Sequence, residues 1–132
     1  MTARSIIVIG AGDALGGSVA RRFAREGFDA VIVRRNADQL EPLAEAIRAE
    51  GGRAHPFGVD ARKEEEMVAL FDRVEADIAP IGACVFNIGA NVRFPIADTT
   101  SRVFFKVWEM ACFGGFLAGR EAAKKMTPRG EG

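Results

Sequence analysis

Residues 5–17 read Ser5-Ile6-Ile7-Val8-Ile9-Gly10-Ala11-Gly12-Asp13-Ala14-Leu15-Gly16-Gly17. The opening run is apolar, mostly β-branched and bounded by Gly10, the pattern of a central parallel strand covered on both faces. A glycine-rich turn follows. Leu15, Val19 and Phe23 then recur at helical spacing as far as Gly27, which predicts a helix with a glycine C-cap. In a strand–turn–helix setting, small residues let the main chain pass close to a pyrophosphate, and the helix N-terminus aims amide donors at it. A turn that needs glycine only for positive φ would read the same locally, so the surrounding chain decides between the two.

Working outward, Asp29–Val33 is a second strand. Leu40, Leu43, Ala44 and Ile47 fall at i, i+3, i+4, i+7 and predict a helix ended by Gly51-Gly52. Pro42 predicts an irregular first turn from Ala37, with the regular helix starting near Pro42. Arg53–Val59 is a weaker strand. Met67, Leu70, Phe71, Val74 and Ile78 mark a third helix, with Glu64, Glu65 and Glu66 in its first turn, where the helix dipole favours anions, and Pro80 closing it. Gly82–Ile88 is a fourth strand and Gly89-Ala90-Asn91 a turn. A last helix is expected over 101–126, capped by Thr99, Thr100 or Ser101, with Lys124 and Lys125 in its final turn. The order βαβαβαβα, with crossover helices of one hand, predicts an α/β, Rossmann-type parallel sheet with strand order 3-2-1-4.

Bulk composition narrows the function classes. At 132 residues there is room for one domain, here the whole of 1–132. Eighteen basic residues cancel eighteen acidic ones, so no net field draws the chain to nucleic acid or an anionic membrane. No stretch approaches a membrane span, and no secretory leader is read at the N-terminus. Cys84 and Cys112 lie in apolar runs and are expected to be reduced and buried, which goes with a cytoplasmic setting and with no metal site.

Taken in order, these landmarks resemble the short-chain dehydrogenase/reductase family over nearly the whole chain. That family carries Thr-Gly-x-x-x-Gly-x-Gly at the first turn. Gly10, Ala14 and Gly16 fall on its three glycine positions, with Ile9 replacing the threonine and Ala14 the middle glycine. Asp60, with Ala61 beside it, matches an aspartate that binds the adenine ring, and a helix N-cap role for Asp60 stays open. Phe86-Asn87-Ile88-Gly89 matches Asn-Asn-Ala-Gly with its first Asn replaced; the resemblance implies that Asn87 holds neighbouring backbone together. It further implies a nicotinamide dinucleotide partner, with Gly10, Asp13, Ala14, Leu15, Gly16, Arg34, Arg35, Asp60, Ala61, Asn87 and Gly89 at its site.

The end of the second strand bears on which dinucleotide. NAD enzymes place a carboxylate there for the ribose 2′-hydroxyl, and NADP enzymes offer arginine to the 2′-phosphate. Val33-Arg34-Arg35-Asn36 has no acid, and two guanidiniums can bond a phosphate bidentately. NADP is therefore expected ahead of NAD, although Asp13 opposes it by charge and a pair of solvated arginines would look alike. The missing acid also argues against an S-adenosylmethionine methyltransferase, which needs one at this point.

The resemblance implies hydride transfer through a Ser and a Tyr-x-x-x-Lys segment after a fifth strand, in which the tyrosine handles the proton and the lysine lowers its pKa. The chain has no tyrosine. It stops at 127–132, where that strand is due, so the expectation is a sheet truncated before the fifth strand with no catalytic residue to name. Ala111 stands where the family often has an asparagine. His55 lacks a companion nucleophile or ligand and is expected to pack or face solvent. Phe104, Phe105, Trp108, Phe113 and Phe116 are expected to form packing surface on the last helix. Without a fifth strand, part of that helix would lose its cover, which predicts self-association or pairing with the rest of the fold. Two other readings stand beside this one: a non-catalytic dinucleotide-binding or regulatory module, and a chain that folds poorly and binds nothing.

Overall fold

A computed structural model describes residues 3–132. Four parallel strands form one sheet in the order β3-β2-β1-β4: β1 is Ser5–Ile9, β2 Asp29–Arg34, β3 Arg53–Gly58 and β4 Ile81–Phe86. Every residue of β1 is buried. Side chains alternate across a strand, so a strand with helices on both faces needs apolar residues at every position. On one face Ile7, Ile9, Val31 and Val33 meet Met67, Leu70, Phe71 and Val74 of α3 (Glu64–Asp77) and Leu117, Ala118 and Ala122 of α5 (Gly114–Met126). On the other, Ile6, Val8, Ala30 and Ile32 meet Ala20 and Ala24 of α1 (Leu15–Arg25) and Ala44 and Ile47 of α2 (Glu41–Ala49).

The helix boundaries follow local chemistry. Gly27 and Gly51 take φ of 93° and 86° just beyond α1 and α2, the left-handed region that suits glycine. A 3-10 turn at Ala37–Leu40 precedes α2, whose first turn holds Pro42, as its missing N–H requires. Thr100 caps α4 (Ser101–Trp108), its hydroxyl accepting from the Val103 amide at 3.2 Å.

Four expectations need correction. The last helix is not regular through 101–126: a wide π turn at Glu109–Phe113 separates α4 from α5. It brings Trp108 over Phe113, with ring centroids 5.7 Å apart. Cys112, in that turn, is exposed rather than buried, as neither α4 nor the turn has a buried residue; Cys84 on β4 is partly rather than fully buried, and that burial pushes its thiol up to about 11. Leu15 is 64% exposed, so of the expected stripe only Val19 and Phe23 pack on the core, beside the buried Gly16, Gly17, Ala20 and Ala24 of α1. The fourth strand also starts one residue earlier and ends two earlier than the sequence suggests. Among the described residues no helix is long and apolar enough to cross a membrane.

Candidate functional site at the carboxyl ends of the strands

All four strands run in one direction, so their carboxyl ends open onto a single edge of the sheet, where ligands bind in such folds. At its centre is the turn after β1. The amides of Gly10 and Ala11 donate to the Val33 carbonyl at 3.0 and 3.2 Å, which holds the turn against the end of β2. Gly10 has φ of 89°, and a Cβ there would sit 2.5 Å from the Asn87 carbonyl oxygen. A Cβ on Gly16 would strike the Gly10 carbonyl, and one on Gly17 the Gly12 carbonyl. The first turn of α1 is therefore pressed onto the Gly10–Gly12 turn, and only hydrogen fits at those places.

Ala14 is the N-cap residue of α1 and supplies no side-chain bond, and the first turn carries no acid. The helix begins with open amide donors and the positive end of its dipole. Asp13, Ala14 and Leu15 are exposed around that opening. Ala14, at the middle glycine position, has φ of −106°, outside the left-handed region that would demand glycine.

Asn87 ties β4 to the turn: its amide donates to the Ile9 carbonyl at 2.7 Å, and its Nδ2 donates to the Gly10 carbonyl at 3.4 Å. Gly89 is exposed, and a Cβ there would meet nothing within 4 Å.

Arg34 is half-buried and reaches over the turn, its Nη1 4.0 Å from where a Cβ of Gly12 would lie. Arg35 beside it is exposed, and among the described residues neither guanidinium forms an ion pair. With Asn36 and Gln39 they line a cleft of about 400 Å³. Sequence reasoning missed Gln39; the signal was its place in the first turn after an arginine pair. Asn36 is used locally, its Oδ1 accepting from the Asp38 amide at 3.0 Å.

Asp60 lies just past β3, whose end is joined to β2 by the Val59 amide donating to the Arg34 carbonyl at 2.9 Å. It does not cap α3, whose N-cap is Lys63. Its Oδ1 accepts from the Arg62 amide at 3.1 Å and from Arg62 Nε at 3.0 Å, and its Oδ2 from Arg62 Nη2 at 2.8 Å. The Arg62 guanidinium brings this carboxyl down to about 2. Ala61 is buried, its carbonyl facing Gly114.

The predicted residues thus converge on one edge, whereas His55 does not join them. It starts from mid-β3, and its Nε2 lies 2.9 Å from Oδ1 of Asp29 at the opposite end of β2. Arg53 donates to both oxygens of the same carboxylate, at 2.9 and 3.0 Å. Burial would raise the Asp29 pKa, but the bonds from Arg53 and His55 outweigh it and hold the group below its usual range. Ala111 is exposed in the π turn. It borders an apolar cleft of about 400 Å³ between the 92–94 segment and α4. Among the described residues no group of three or more His, Cys, Asp or Glu side chains is placed to hold a metal ion.

A family model described as short chain dehydrogenase matches residues 4–132. A crystal structure of a short-chain dehydrogenase from Rhodopseudomonas palustris is 49% identical, superposes with a TM-score of 0.93, and is matched over 98% of this chain and 60% of its own. An actinorhodin polyketide ketoreductase variant solved with NADPH is 26% identical with a TM-score of 0.91, over 98% of this chain and 51% of that one. Cis-4-hydroxycyclohexanecarboxylate dehydrogenase of Sinomonas cyclohexanicum is 30% identical over 98% of this chain and 52% of its own length. The chain spans about half the length of the curated relatives it matches.

Proposed function

The chain belongs to the short-chain dehydrogenase family of oxidoreductases, and on that premise we propose that it binds NADP(H) along the carboxyl edge of its sheet, with NADP preferred to NAD. The observation that carries this reading is the position of Arg34, an unpaired guanidinium held over a glycine turn whose helix begins without a side-chain cap. The fit is one of shape as well as charge. Hydrogens at Gly10, Gly16 and Gly17 let α1 close tightly on the turn, so that its first amides, uncapped by any side chain, front the place where a diphosphate would lie.

In this reading Arg34 and Arg35 take the 2′-phosphate, and Gln39 adds a polar group to the same cleft. Asp13 and Leu15 border the diphosphate path, and Asp13 weakens the anion's attraction slightly. Asp60 and Ala61 lie beside the base. Asn87 and Gly89 form the floor towards the nicotinamide, Asn87 by fixing the turn and Gly89 by leaving open space. When bound, the nicotinamide supplies hydride chemistry; the 132 residues bind and orient it.

Titrating NADPH and NADH separately by the fluorescence of the reduced ring tests the proposal. NADPH should bind about tenfold more tightly, worth about 1.4 kcal/mol, and Arg34→Asp should reverse the order. Equal affinities, unchanged by the substitution, would sink it.

Self-association is the second part of the reading, on a separate observation. Phe104, Phe105, Trp108 and Phe116 are each 45–62% exposed along α4 and the start of α5. Contiguous apolar surface of this kind drives pairing. Light scattering at micromolar concentration should show a dimer or larger; a monodisperse monomer would contradict it.

A further inference from the structure

We infer that Arg62 is a specificity-determining residue: by bonding both oxygens of Asp60, it blunts that carboxylate's selection of a 6-amino purine, so a dinucleotide carrying hypoxanthine binds about as well as one carrying adenine. This rests on the NADP(H) placement proposed above and deepens it at the base.

A carboxylate offers roughly four acceptor positions. Three hydrogen bonds from Arg62, one from its amide and two from its guanidinium, already fill most of those on Asp60. Two of the three form a bidentate, charge-assisted pair, the strongest geometry available to a carboxylate. The pair is not a loose surface contact: the Asp60 side chain is 15% exposed and that of Arg62 27%. Arg62 is also braced from the other side, its Nη1 3.8 Å from Oε1 of Glu109 at the start of the π turn. It is thus held between two carboxylates on different elements. The same contacts bring the Asp60 carboxyl down to about 2, which describes an anion already neutralised by its partner. Such an acceptor rewards an incoming N–H less than a free carboxylate would.

Arginine has five N–H donors and no acceptor. With Nε and one Nη2 hydrogen on Asp60, donors remain that suit a 6-oxo group at least as well as a 6-amino group. The two ends of the proposed site differ accordingly. The free guanidiniums of Arg34 and Arg35 read the phosphate by charge, and the Asp60–Arg62 pair reads the base by shape.

The test uses the full chain, NADPH, and the analogue in which hypoxanthine replaces adenine, both read by reduced-nicotinamide fluorescence. The expected result is dissociation constants within about threefold of each other for the unmodified protein, short of the tenfold that corresponds to 1.4 kcal/mol. Arg62→Ala should then prefer NADPH by about tenfold, because Asp60 is freed to accept from the 6-amino group. Arg62→Lys keeps the charge without the planar fork and serves if the alanine variant fails to fold; it should shift the preference in the same direction by less. A preference for NADPH above about threefold in the unmodified protein overturns the inference. So do equal affinities that persist in both variants. Binding of neither nucleotide overturns the glycine-turn reading and this inference with it, and is distinguishable because the two probes share phosphates and nicotinamide.

Discussion

β2 and β4 flank the same central strand and are similarly apolar, yet five of six residues of β2 are buried and only one of six in β4. β2 is paired on both edges, with β1 and β3, and has α1 and α2 on one face and α3 on the other. β4 is paired only with β1, and its other edge opens onto a groove of about 440 Å³ between it and the small residues Gly115, Ala118, Gly119 and Ala122. An apolar strand in the sequence is therefore no measure of burial; what covers its edges and faces decides.

The largest effect that separates the two sides is the loss of a core side chain. Ile32→Ala on β2 should cost about 2–5 kcal/mol, whereas Cys84→Ala on β4 should cost less than about 1 kcal/mol, because neighbours can move into the open groove. Urea midpoints for the two variants would show it, and equal costs would erase the contrast. Gly10→Ala comes next, at about 1–3 kcal/mol, from a positive φ and a close approach to the Asn87 carbonyl where the two sides join. It should also weaken NADPH binding in a fluorescence titration.

The smallest effect is titration. Asp29 and Asp60 both have folded pKa values below those of the unfolded chain, Asp60 at about 2 against 3.8. The stability each contributes is present above the unfolded value and is lost as pH falls through the folded one, which for Asp60 means towards about 2. Urea midpoints measured from pH 5 to pH 2 should fall, and Asp60→Asn should flatten part of that slope. A profile identical in the variant would show that the Arg62 pair carries no linked stability.

The elements and their order were legible because each depends on residues close in sequence: the β-branched run at 5–9, the glycine stops at 27 and 51, Pro42 at the head of a helix. The handedness of crossovers then leaves little choice of strand order. The glycine turn was legible for the same reason, being one continuous stretch. Side-chain partnerships across strands were not. Asp29 meets Arg53 and His55 only because β2 and β3 pair with Asp29 opposite Arg53 and Val31 opposite His55, a register that periodicity does not specify. The Asp60–Arg62 pair is local, but two residues apart in a loop either could have faced solvent. The exposure of Cys112 goes with a wide turn at 109–113 that Gly114-Gly115 follow directly, a glycine pair that would equally suit an unbroken helix lying close on Phe86.

That wide turn has an optical consequence. Side chains five positions apart on a regular α-helix point about 140° away from each other, but Trp108 and Phe113 lie face to face with their planes 20° apart. Trp108 is the chain's one tryptophan, so its emission is a built-in gauge of this segment. Any event that relaxes 109–113 into ordinary helix must pull the rings apart, and the indole spectrum would record it without a label.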